Sequence, residues 1–447
     1  MLFRSLGLSS HQANIITGVY FAYNFALHLL SGYLAGRLFS YRSLIATGLV
    51  FQMIGCFVLV LDNLTSLYWG LSCMLVGTGT MVTCINMLVS QLYSHDDPQR
   101  ESGFLINYSA MNIGFVLGFS LAGFFQLNQD FNRLFFITAF TNCLTLFIMV
   151  FAWKQLKDKN TEFIKANRKQ RWQRLALGFS LVILLVPILN TMLKHESISD
   201  DLVLAAGVLM AFVIIYFAIK QPALARKKFF VFLILLLMAQ IFWVIYQLAP
   251  MALTLFAQYN VDRQVFGFTI APGWIQNINS VTIILAGPVL VYAIKKLQLR
   301  GKEFNIPAKY SVGLALAAAG LLVLPIGIYF ANPDTGYVAF GWVFICYVLE
   351  ALAEVFIGPI GYAMVGKFVP SKYQSQMMGV VLLNSGVAAV LASFFSNYAL
   401  GKQDSTKPWI TNSHYSHAFL QLGIVTAIVA VVLLLLLPVF KRWLRVE

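Results

Sequence analysis

Charge is what this sequence has little of. Only 11% of its 447 residues are Asp, Glu, Lys or Arg, while 59% are hydrophobic. A water-soluble protein of that length needs far more polar surface, so a soluble globular fold is excluded. Acids are scarcest, 17 Asp and Glu against 31 Lys and Arg. Cysteines number five, and all (Cys56, Cys73, Cys84, Cys143, Cys346) lie within apolar runs. None has metal-ligand spacing, so they read as small packing residues, with no metal and no cofactor implied. No stretch carries a His/Asp/Glu cluster or an activated Ser/Cys arrangement, which speaks against an enzyme. The first twelve residues, MLFRSLGLSSHQ, lack the apolar core of a cleavable signal peptide.

Apolar runs are there in abundance. Segments near 13–35, 43–61, 66–90, 103–125, 134–153, 173–192, 201–219, 229–257, 275–294, 310–330, 337–366, 373–398 and 417–440 each approach the ~20 residues that span hydrocarbon. The expected fold is an all-α polytopic membrane protein with about thirteen spans.

The net charge of +14 invites a nucleic-acid reading, and its distribution argues against one. With residues 1–12 outside, 25 of the 31 Lys and Arg fall in inside loops. The other six are Arg4, Arg133, Lys194, Arg263, Lys402 and Lys407. That asymmetry is the positive-inside signature of a bilayer protein, here a multi-pass protein with a cytoplasmic C-terminus. No nucleic-acid partner is expected.

An odd number of spans is unusual for a carrier of two matched halves, and one span missing before Met1 repairs it. The basic stretch KQLKDKNTEFIKANRKQRWQR at 154–174 is the strongest punctuation. It divides the chain into an N-terminal bundle at 1–153 with its first helix missing, a basic linker and inserted helical hairpin at 154–228, and a C-terminal bundle at 229–447. The plan is then 6+2+6. Small residues recur within spans (Gly70, Gly77, Gly79; Gly114, Gly118, Gly123; Gly358, Gly361), where they let helices approach closely. Pro250, Pro288 and Pro359 mark bends.

Ionisable groups in mid-membrane are costly, so each is a candidate for function. His28, Glu350 and Glu354 are these groups. The two glutamates are four residues apart and share a helix face. Two carboxylates that close in low dielectric do not both ionise, so a proton can load and unload there. The His28 imidazole suits a proton relay. Uncharged polar groups in spans add Asn107, Tyr108 and Asn112, Gln276 and Asn279, and Trp243 with Gln247, groups able to hold the ends of a small zwitterion. Helix–helix hydrogen bonding is the alternative for each.

Three stretches carry a resemblance: GTGTMVTCINMLVSQLYSHDDPQRESGFLINYSAMNIGFVLGFSLAGFF at 77–125, FWVIYQLAPMALTLFAQYNVDRQVFGFTIAPGWIQNINSVTIILAGPVL at 242–290 and YVLEALAEVFIGPIGYAMVGKFVPSKYQSQMMGV at 347–380. The first is similar to the DPxRxxGFxxxYxxxNIG segment of the proton-dependent oligopeptide transporter (POT) family of the major facilitator superfamily. A weaker match, GYLAGRLFSYRSLI at 32–45, resembles the superfamily's loop between its second and third helices. The resemblance implies a major facilitator fold of two six-helix bundles and, in prokaryotic members, fourteen spans. It implies that Glu354 binds a peptide amino terminus, that Asn112 and Asn279 contact peptide, that Tyr108 lies near the site and that Trp243 lines the pocket. The chain diverges elsewhere. The family's buried lysine falls on Val82, its proton-linked glutamate on Gln247, a pocket tyrosine on Phe25, a tryptophan on Val381 and a loop acid on Gly36. The ExxER motif of the first helix is absent with that helix.

The expected function is uptake of di- and tripeptides by proton symport with alternating access, by a monomer. Glu350, Glu354 and His28 are the proton-coupling candidates. The cytoplasmic DPQRE segment, with Asp97, Arg100 and Glu101, is expected to pair with Arg37 and Arg42 to latch the inward side, a solvated loop being the alternative. Two rivals remain open: a carrier of amino acids or other small solutes with altered coupling, and a carrier-like receptor or assembly partner that transports nothing.

Overall fold

In the computed structural model, residues 6–93, 97, 99–300, 305–401 and 405–444 are described. Among the described residues thirteen long helices occupy the thirteen expected places. They are α1 (Ser10–Leu34), α2 (Tyr41–Leu59), α3 (Leu64–Ser90), α4 (Arg100–Leu127), α5 (Phe131–Phe151), α6 (Arg168–Lys194) and α7 (Glu196–Ile219). Then follow α8 (Ala223–Gln247), α9 (Pro272–Leu299), α10 (Ile306–Tyr329), α11 (Phe340–Phe368), α12 (Gln374–Leu400) and α13 (Pro408–Leu444). Among the described residues twelve helices are long and apolar enough to cross a bilayer. The remaining one, α9, has 28 residues, and its first half carries Gln276, Asn277, Asn279 and Ser280.

Helix starts follow local chemistry. Asn63 caps α3, and its partner Ser66 bonds back to the cap amide, which satisfies two orphan donors at once. Asn167 and Gln170 do the same for α6. Ser40 accepts from the Ser43 amide at the start of α2. α8 breaks at Pro250, as the proline predicts. The chain there runs through a π-turn, Ala249–Leu253, in which Met251 leaves helical geometry, and resumes as helix at Thr254–Tyr259. The freed Ala252 amide donates to the Ser396 hydroxyl of α12 at 3.3 Å.

The chain forms two compact units. Val19–Met111 and Phe125–Leu202 make up most of one. Ser9–Gly18, Asn112–Phe124 and Val203–Glu447 make up the other.

In the first unit, α2 and α3 pack backbone to backbone. A Cβ on Gly48 would lie 2.8 Å from the Gly77 carbonyl, and one on Gly77 would lie 2.7 Å from the Gly48 carbonyl. Gly55 and Gly70 repeat this one heptad along, at 2.8 and 3.0 Å. Four glycines thus replace the hydrophobic drive that lipid cannot supply. Gly79 admits Leu27 of α1. Replacing Gly77 by Leu forces this pair apart, at a cost of about 1–3 kcal/mol. The midpoint of heat-induced aggregation, followed by size exclusion in detergent, is expected to fall. Gly118→Leu is expected to leave it unchanged, because nothing lies within 4 Å of a Cβ there. Equal losses in both variants would refute the close-approach argument.

In the second unit the same device joins α10 to α11. Gly313, Gly320 and Gly327 recur every seven residues and meet Ile357, the Cys346 carbonyl and Trp342. The Gly320 contact sets the α11 backbone at Glu350 against α10. Short strands tie the loops. β1 (Val261–Asp262) pairs in parallel with β4 (Val338–Ala339), and β2 (Gln264–Val265) pairs antiparallel with β3 (Phe268–Thr269).

Candidate functional site

The second unit holds the two membrane glutamates on α11. Glu350 is 3% exposed, and its Oε2 finds no hydrogen-bond donor. Cys346 and Tyr347, in the preceding turn, are buried with it. Glu354, one turn further on, is half-buried, and its Oε2 accepts from the Asn279 side-chain amide of α9 at 3.0 Å. Gly358 follows after another turn. A Cβ there would meet only Glu354's own Cγ, at 3.7 Å, so open space lies beside the carboxylate. The helix thus presents one carboxyl to an accessible place and seals another behind it.

Other polar and aromatic groups of this unit lie on α4, α8, α9 and α1. Asn112 of α4 is buried. Further along α4, the Ser120 carbonyl accepts from the Trp274 indole at 2.8 Å, and the Ser120 hydroxyl accepts from the Asn277 amide at 3.0 Å. Gly123 makes room for the Trp274 ring. On α8, Trp243 stands edge-to-face with Phe242 and Tyr246, and Gln247 is buried just before the break at Pro250. The first turns of α1 belong to this unit as well. Asn14 donates to Asn397 at 3.0 Å, and His11 contacts the Gly401 carbonyl at 2.9 Å. A Cβ on Gly18 would lie 2.7 Å from Ser393. Segments of α1 and α4 therefore close on α12 and α9, and the Trp274, Asn277, Asn14 and Gly18 contacts were not among the sequence candidates.

Tyr108 and His28 fall in the other unit. Tyr108 is 41% exposed. The His28 ring packs edge-on to Phe25 at 6.0 Å, its carbonyl accepts from the Thr83 hydroxyl at 3.0 Å, and its Nε2 has no partner.

The described residues of the expected latch have these local contacts. Arg37 lies 3.8 Å from the Glu162 carboxylate. Arg42 lies over the Trp153 ring at 4.7 Å and donates to the Trp153 carbonyl. Asp97 accepts from the Gln99 amide at 2.8 Å. The side chains of Arg100 and Glu101 lie outside the described residues. The acid that sequence reasoning passed over is Asp158. It is 4% exposed, and its two oxygens accept from the Tyr41 amide at 2.9 and 3.0 Å, at the positive end of α2. Burial pushes the Asp158 carboxyl above the usual range, while the Tyr41 amide, the Thr161 hydroxyl and Arg42 pull it back. Gly36 explains why the loop itself carries no acid. Its φ of +75° favours glycine, and a Cβ would press on Thr161 at 3.2 Å. The Gly36 carbonyl accepts from the Phe163 amide at 2.8 Å, so the linker docks on this loop and brings Asp158 and Glu162 with it.

Residues 42–410 match the POT family model. The chain belongs to the POT family. It is a multi-pass membrane carrier and not an enzyme. Among its relatives, the dipeptide and tripeptide permease A of Chromobacterium violaceum is 28% identical over 99% of this chain and 88% of that protein. The permease of the same description from Salmonella typhimurium is 26% identical over 99% and 87%. Solved structures share the major facilitator fold. A bacterial homologue of the human drug peptide transporters PepT1 and PepT2 superposes with a TM-score of 0.84 at 24% identity, covering 99% of this chain and 93% of that one. A POT family transporter in complex with 5-aminolevulinic acid gives 0.80 at 23% identity, covering 97% and 89%.

Proposed function

We propose that this POT family member imports di- and tripeptides across a bacterial inner membrane by proton symport, working by alternating access as a monomer with a cytoplasmic C-terminus. The observation that carries the reading is the half-buried Glu354 carboxylate, held by Asn279 beside open space, with the sealed Glu350 one turn behind. A carboxylate so placed holds a peptide ammonium, and Asn112 and Trp243 serve the rest of the cargo. The peptide-permease names of its relatives agree.

Proton coupling falls to Glu350 with Glu354, because Gln247 cannot load a proton. His28 is a third candidate for the relay. Losing the family's lysine and glutamate together, at Val82 and Gln247, removes one charge of each sign and leaves the net burial cost nearly unchanged. In the alternating cycle the contacts of α1 with α12 and of α4 with α9 are those that must part to open one face. Within the first unit, Arg37 and Arg42 hold the linker through Glu162 and Trp153.

Val82 also supports a second reading, a carrier of amino acids or other small zwitterions, since a valine cannot anchor the carboxylate of a longer peptide. A competition panel decides between them. In liposomes with an acidic exterior, uptake of a labelled dipeptide is expected to be suppressed by unlabelled di- and tripeptides and spared by free amino acids. The reverse order would establish the second reading.

A further inference from the structure

Away from the transport site, the second unit has a cavity of about 200 Å³ where α8 begins and α11 ends. Leu224, Phe368 and Val369 give it an apolar wall, and the charged side chains lining it are Lys228 and Lys367. Like charges gathered at one place cost free energy unless an anion sits among them. Among the described residues neither Lys228 nor Lys367 has a carboxylate within ion-pair distance.

The backbone is arranged in the same sense. The carbonyls at the end of α11 would repel an anion, and Gln374 covers two of them. Its amide donates to the Gly366 carbonyl at 3.3 Å and to the Val369 carbonyl at 3.0 Å. α8 opens on Pro222, which offers no side-chain cap, and its first-turn residues Leu224 and Ala225 line the cavity. The lysines carry the argument, and the helix start adds to it.

We propose that this cavity binds the phosphodiester of an anionic glycerophospholipid, with Lys228 and Lys367 on the phosphate and the apolar wall against the glycerol and first acyl carbons. Its place at the ends of two membrane helices puts it at headgroup depth, where basic pockets meet lipid phosphates. A phosphodiester and free phosphate share the anionic chemistry, and the apolar wall favours the lipid.

The test uses the full chain in detergent, titrated with phosphatidylglycerol, phosphatidylcholine or inorganic phosphate, with lipid retention read by native mass spectrometry. Phosphatidylglycerol is expected to be retained, and phosphatidylcholine and phosphate are not. The double variant Lys228→Gln/Lys367→Gln is expected to bind phosphatidylglycerol about 30-fold more weakly. Lys227→Gln, a neighbouring exposed position outside the lining, keeps wild-type retention. If the double variant misfolds, Lys228→Arg/Lys367→Arg must still retain the lipid where Lys367→Gln alone loses it. Equal retention by wild type and both glutamine variants overturns the site. Equal occupancy by inorganic phosphate overturns the lipid assignment.

Discussion

Glu354→Gln is expected to lower uptake of dipeptides at subsaturating concentration by about 10- to 100-fold, with expression and folding retained. The substitution keeps the shape of the side chain, and the Asn279 amide still has a carbonyl oxygen to donate to in place of Oε2. What disappears is the negative charge. A hydrogen bond to a charged group contributes about 1.5–3 kcal/mol, which corresponds to the stated range. The loss should track the peptide ammonium. An N-acetylated dipeptide lacks that charge and should be a poor competitor of wild-type uptake. In Glu354→Gln the preference for the free amine should collapse, because the variant has lost the partner it reads. If the variant still discriminates free from acetylated peptide as wild type does, Glu354 does not hold the amino terminus.

The helices were legible because each apolar run is close to bilayer length and the loops between them are basic or polar. The Glu350 and Glu354 pair was legible from its spacing of four. The bond from Asn279 to Glu354 was not, since it joins α9 to α11 across 75 positions and only packing decides which amide faces which carboxylate. Glycine patterning was half legible. Gly70 and Gly77 do meet a helix closely, but so do Gly48 and Gly55, and the heptad of Gly313, Gly320 and Gly327 went unread. Gly114 and Gly118, equally conspicuous in sequence, face nothing within 4 Å. The sequence pattern shows where a close approach is allowed, and the partner helix decides where it happens. The arginines were read toward the DPQRE segment because opposite charge lies there. The turn at Gly36 also brings the linker to them, a contact that charge pattern alone does not point to. Asp158 and Glu162 are the only acids in the basic stretch 154–174, and that isolation was the available signal.

Glu350→Gln is expected to abolish accumulation of peptide against a gradient while leaving counterflow exchange intact. Glu350 is buried, with an oxygen that no donor meets, an environment that suits a neutral carboxyl and makes a charged one costly. Glu354 four residues away adds repulsion whenever both ionise. Glutamine mimics the protonated state permanently. The carrier can still cross between its two faces with peptide, so exchange of labelled for unlabelled peptide continues. It can no longer shed a proton, so a pH gradient does no work. One pH unit is worth about 1.4 kcal/mol per proton, enough for about tenfold accumulation at one proton per peptide. Liposomes with wild-type protein and an exterior one unit more acidic should approach that ratio, and the variant should stay near unity. Full accumulation by the variant would remove Glu350 from the coupling step. Loss of counterflow as well would move it to binding, since a group that only carries the proton is not needed for exchange at equal pH.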